Sequence, residues 1–129
     1  MSVTTIRNTI NRIKGDVVDL KKNQAKERKK ELDIEVKISD LQIKIVKSKN
    51  LIAAQRFQKQ IDAKSKELSR VSRKVIDYQI KITQKGKQLA KEQGKLSKEL
   101  EKETKKSQNS ELTFMRRKNQ LNKSELGTI

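Results

Sequence analysis

Apolar residues recur in alternating steps of four and three along most of this chain, and no proline interrupts them. Ile6, Ile10, Ile13, Val17 and Leu20 open the series, and Ile34, Ile38, Leu41 and Ile45 return to it in strict register. Farther on, Phe57, Ile61, Leu68, Val71, Val75, Tyr78, Ile82, Leu89 and Leu96 hold the same heptad, with Lys64, Lys85 and Glu92 as polar exceptions. This spacing keeps one stripe of a helix against a partner helix, as in a coiled coil. A helix interior excludes proline at about 3 kcal/mol or more, so 129 residues without one suit long helices. An all-α fold is expected.

Local signals divide the chain. Hydroxyls at Ser2 to Thr5 can cap free backbone N–H groups, which places helix 1 over 1–47. Ser48 and Asn50 favour turns over helix interiors, because their side chains compete for nearby backbone groups; the turn is expected at 48–50. Helix 2 then runs over 51–107, a rod of roughly 80 Å at ~1.5 Å per residue. Ser107 to Ser110 reads as a break. Beyond it, 108–129 forms a C-terminal tail in which Ser110 caps a short helix holding Phe114, Met115 and Leu121, and which frays from Gly127 onward. The simplest arrangement is a long antiparallel coiled-coil helical hairpin with unequal arms.

A second apolar stripe, Leu32, Val36, Ile43 and Val46, lies on the far side of helix 1 from Ile34, Ile38, Leu41 and Ile45 at ~100° per residue. Ile76 and Ile80 repeat the feature off the seam of helix 2. Two stripes require two packing partners, and a two-helix hairpin alone buries little. The second partner is expected to be another copy, giving an elongated hairpin that self-associates into a helical bundle, a dimer or tetramer. On this reading Ile38→Asp or Val75→Asp breaks assembly by placing an unpaired charge in a packed seam. Complementary charges at i,i+4 (Asp33/Lys37, Asp40/Lys44, Asp62/Lys66, Asp77/Lys81, Glu101/Lys105) are expected to add ~0.2–0.5 kcal/mol each.

In strict register the seam of helix 1 meets Gln24, Glu27 and Glu31, inside a strongly basic stretch with Lys21, Lys22, Lys26, Arg28, Lys29 and Lys30. The stretch reads as a solvated part of a long helix, a local splaying of the bundle, or a docking patch for an acidic partner. Formal net charge is +17, from 33 basic and 16 acidic residues. Such a balance speaks to solubility and attraction to polyanions, and not to fold. Lys21 to Lys30 and Arg116-Arg117-Lys118 are the candidate polyanion contacts. Yet 25 of the cations are Lys and 8 are Arg, and Arg is the residue suited to bidentate phosphate and base-edge recognition. Phe57, Tyr78 and Phe114 are the only aromatics, which leaves few platforms for base stacking.

Chemistry is sparse. With no His and no Cys, the commonest general base, the commonest metal ligand and the thiolate nucleophile are all missing. No catalytic constellation, cofactor or metal site can be assembled, and no small-molecule substrate is implied. Gly86-Lys87 resembles the end of a phosphate loop, but G-x-x-x-x-G-K-[ST] is absent. Gly15, Gly86 and Gly94 mark tolerated or flexible helical points, or close helix approach. Leu51-Ile52-Ala53-Ala54 is the longest apolar run, far below the ~20 residues of a membrane span. Met1 to Leu20 lacks the apolar core of a signal peptide, so a cytoplasmic location without membrane contact is expected.

The runs Thr5-Ile6, Ile10-Asn11-Arg12-Ile13, Asp16-Val17-Val18-Asp19-Leu20-Lys21-Lys22 and Ala25-Lys26-Glu27-Arg28-Lys29-Lys30-Glu31 resemble a region of certain bacterial proteins. It is their N-terminal coiled coil, which precedes a Toll/interleukin-receptor-type or other effector domain. Lys44-Ile45-Val46-Lys47-Ser48, Lys66-Glu67-Leu68-Ser69-Arg70-Val71 and Lys98-Glu99-Leu100-Glu101-Lys102-Glu103-Thr104-Lys105-Lys106 extend the likeness over residues 2 to 106. The resemblance implies an oligomerisation or sensing module of bacterial antiviral or self/non-self effector systems. Where the effector domain would begin, this sequence departs and ends in Leu126-Gly127-Thr128-Ile129. It is then either a free-standing version that assembles with a partner effector protein, or a piece of something longer. The expected function is a non-enzymatic coiled-coil scaffold or adaptor. The rival is a basic protein that binds DNA or RNA backbones through Lys-rich helix faces.

Overall fold

The chain is all-α. The computed structural model describes the backbone of residues 2–127 and the side chains of residues 2–121. Two helices account for it, α1 (Val3–Lys47) and α2 (Leu51–Gly127). Packing divides the chain into two units, Ile13–Gln88 and Met1–Arg12 together with Leu89–Ile129.

Ile13–Gln88 is a helical hairpin. The turn lies at Ser48 to Asn50, and its side chains make it. The Ser48 amide closes α1 on the Lys44 carbonyl at 2.9 Å. Ser48 Oγ donates to the Asn50 carbonyl at 3.0 Å and accepts from the Asn50 amide at 3.3 Å. Asn50 Oδ1 then accepts from the Ile52 amide at 2.9 Å, a side-chain cap on the first turn of α2. No residue with positive φ occurs among the described residues, so the reversal needs no glycine.

The arms meet along the four-three stripe. Ile13, Ile34 and Leu41 of α1 and Ile61, Val71 and Ile82 of α2 are buried. Val17, Leu20, Ile38, Ile45, Phe57, Leu68, Val75 and Tyr78 are half-buried at the intervening seam positions. Cross-arm polar contacts fix the antiparallel register. Gln24 reaches Gln79, Glu31 reaches Ser72 and Asp16 reaches Lys85, so the numbers of these side-chain pairs total 101 to 103.

The second unit pairs the start of α1 with Leu89 onward. Ser2 caps α1, its Oγ accepting from the Thr5 amide at 3.2 Å. Ile6 is 1% exposed, and Ile10 is buried nearby in sequence. Leu89, Glu92, Leu96 and Glu99 form the half-buried side of α2 here. Lys95, Lys98 and Lys102 line the surroundings of Ile6, and Lys95 and Lys102 pair there with Glu92 and Glu99. From Leu100 to Leu121 every position of α2 is exposed.

Four expectations need correction. No break interrupts α2 at Ser107 to Ser110, and the short separate helix is part of α2 itself. Without Pro or Gly there, Ser and Asn disfavour a helix by less than ~0.7 kcal/mol each. The Thr104 and Thr113 hydroxyls bond back to the Leu100 and Asn109 carbonyls at 2.9 Å instead of capping new segments. None of the five i,i+4 charge pairs is within ion-pair distance among the described residues; the pairs formed on one helix are i,i+3, such as Lys30–Glu27 and Lys102–Glu99. Lys44 and Lys81 lie instead over the rings of Phe57 and Tyr78, at 5.9 and 5.8 Å from the centroids, and Asp62 accepts from Gln58. Gly15, Gly86 and Gly94 mark no close approach, since a Cβ on any of them would meet nothing within 4 Å. Fraying is expected from Gly127 onward, but Gly127 belongs to α2; Thr128 and Ile129 lie outside the described residues.

Candidate assembly surface

Inside the hairpin, the seam continues through its polar stretch without splaying. Gln24 and Glu27 are each 8% exposed. Gln24 Nε2 donates to Gln79 Oε1 at 3.0 Å and to the Val75 carbonyl at 3.3 Å. Ser72 Oγ donates to Glu31 Oε2 at 2.7 Å. Glu27 Oε1 pairs with Lys30 Nζ at 3.2 Å, while Glu27 Oε2 is buried without a hydrogen-bond partner. The polar exceptions on α2 are half-buried and also paired: Lys64 with Glu67, Lys85 with Asp16 and Glu92 with Lys95. Strict heptad register was the signal that these are seam residues; their polarity alone suggested solvent.

The two stripes of helix 1 part company here. Ile34, Ile38, Leu41 and Ile45 face α2 within the chain. Leu32, Val36, Ile43 and Val46 stand in solvent, 62%, 59%, 52% and 84% exposed. The far stripe therefore has no partner among the described residues of its own chain. Ser39, Gln42, Ile43, Val46 and Lys47 line a shallow groove along it. Leu51 and Ile52 at the start of α2 are exposed as well, as are Ile76 and Ile80. Isolated apolar residues at a surface are ordinary, and a contiguous helical stripe is a candidate interaction face.

Lys21, Lys22, Lys26, Arg28, Lys29 and Lys30 are exposed around the buried pair Gln24 and Glu27. Lys22, Lys26 and Lys29 share one helical face by their i, i+4, i+7 spacing. Lys30 is the member held in an ion pair, with Glu27. In the other unit Arg116, Arg117 and Lys118 are exposed on α2, where Phe114 and Arg117 line one shallow depression.

Among the described residues, no group of three or more His, Cys, Asp or Glu could hold a metal ion. No helix there is long and apolar enough to cross a membrane. Comparison with protein-family models, with curated proteins and with solved structures gives no match.

Proposed function

We propose that this protein is a non-enzymatic coiled-coil scaffold or adaptor that acts by associating with further copies of itself. One observation carries the reading: the stripe Leu32, Val36, Ile43 and Val46 is more than half exposed although the hairpin has already used the opposite face of α1. Exposing four aliphatic side chains on one face gives up roughly 1.5–3 kcal/mol per residue that full burial would return. Pairing copies buries them. A place beside an effector partner in a defence system is a further part of this proposal; the sequence resemblance of residues 2–106 is its support, and no compared protein adds to it.

A second reading has its own observation. The exposed cations from Lys21 to Lys30, in a chain of net charge +17, favour a polyanion, and counterion release would make that attraction strongly salt-dependent. Molar mass by light scattering on nuclease-treated protein, at low and high salt, separates the two. The scaffold gives a salt-independent multiple of 15.0 kDa. A monomer that holds material absorbing at 260 nm at low salt and sheds it at high salt would replace the scaffold with the nucleic-acid reading.

A further inference from the structure

The exposed stripe of α1 is flanked by charges sorted along its length. Asp33 and Glu35 border its N-terminal half, Lys47 ends it, and Lys49 follows in the turn. All four are exposed, and none is in an ion pair within the chain among the described residues. Such sorting distinguishes the two ways in which two copies of α1 could face each other. In a parallel pair, flanking positions meet at i and i+5, which sets Glu35 of one copy against Asp40 of the other, twice, and Arg28 against Asp33, twice, so attraction and repulsion cancel. In an antiparallel pair the ends exchange, so Asp33 meets Lys47 of the second copy, twice, and Asp40 meets its own mate once, at the centre. Flanking charges of this kind select partner and orientation in coiled coils.

Shape agrees with charge. If Val36 is set opposite Val46 of a second copy, the same register places Ser39 opposite Ile43, and the symmetric half repeats both contacts. Ser39 is the small residue on the stripe, and it lines the groove beside Ile43 and Val46. A large side chain from the second copy fits over a small one, which is how packed seams interdigitate.

From these observations we infer that two copies of this chain dock through the outer face of α1, antiparallel, with Val36 against Val46 and Ser39 against Ile43. The inference rests on the self-assembly reading above and adds to it the surface, the orientation and the register. Each half of the interface carries an acidic end that meets a basic end, so the pair closes on itself by two-fold symmetry and covers Val36, Ser39, Ile43 and Val46.

The chain has no cysteine, so single-cysteine variants report proximity cleanly. Val36→Cys and Val46→Cys alter exposed positions, which leaves the hairpin seam intact. Under mild oxidation, each variant alone is expected to stay uncrosslinked, because in the antiparallel register its own symmetry mate is about 15 Å away along the helix, ten residues at 1.5 Å each. An equal mixture of the two is expected to give a covalent dimer that a reductant reverses. Val36→Cys bridging to itself would overturn the antiparallel geometry. A mixture no more reactive than either variant would overturn the register. Light scattering on the uncrosslinked wild type keeps the two levels apart: a multimeric mass without the mixed bridge refutes this interface alone, whereas a 15.0 kDa monomer refutes self-assembly with it.

Discussion

Glu27 is a seam residue whose burial is only half compensated. Its Oε1 pairs with Lys30, but that ammonium sits on a side chain 59% exposed, and Oε2 has no partner. Removing a carboxylate from water is expensive unless all its lone pairs are met. Gln24 and Glu31, each one seam step away from it, both reach a partner on α2, so the stretch contributes register where Glu27 contributes little stability. A polar residue at a heptad core position commonly trades stability for a unique alignment. Glu27→Leu is therefore expected to stabilise the hairpin by about 1–2 kcal/mol, read as a higher urea midpoint with an unchanged slope. A lower midpoint would mean that the carboxylate has compensation beyond the Lys30 pair.

The helices themselves were largely legible from spacing. Every seam position from Ile6 to Ile45, and from Phe57 to Leu96, falls on the buried or half-buried side of its helix, because a period of 3.5 can be satisfied only by one stripe against a partner. The turn was legible through Ser48 and Asn50, whose side chains do bind the local backbone. Ser107 to Ser110 carried the same residue types and no turn follows, since serine and asparagine permit a helix as readily as they cap one. Which of the two α1 stripes faces α2 was not legible from the stripes alone. Heptad continuity back to Ile6 pointed to one, and the structure places that one inside. Gly86 and Gly94 lie in helix interiors with open space around them, so alanine at either site meets no steric penalty and restricts the unfolded chain. Gly86→Ala and Gly94→Ala are each expected to add about 0.5–1 kcal/mol. Asn50→Ala, which deletes the acceptor for the Ile52 amide, is expected to remove about 1 kcal/mol. Thermal melts followed by circular dichroism would show both signs; a destabilising glycine substitution would reveal a contact absent from the structure.

In the proposed assembly, folding of one chain and association of several depend on different faces of the same helix, and this makes them separable by mutation. Ile38 and Val75, which looked from sequence like assembly probes, lie half-buried in the intrachain seam. A charge at either weakens the hairpin, so loss of assembly there would follow from loss of fold. Ile43 is 52% exposed on the outer stripe, whereas Ile61 is 7% exposed inside. An aspartate at an exposed position changes stability by about 0.5 kcal/mol or less, while an unpaired charge in a seam removes several kcal/mol, on the order of the whole margin of a small fold. Ile43→Asp is therefore expected to keep wild-type helicity and melting temperature while its mass falls to 15.0 kDa. Ile61→Asp is expected to lose helicity together with mass. Helicity and light scattering on the two variants in one buffer check the contrast. If Ile43→Asp kept the multimeric mass, the outer stripe would not be the assembly surface, and the exposed apolar residues of α2, Ile76 and Ile80, would be the next to carry it.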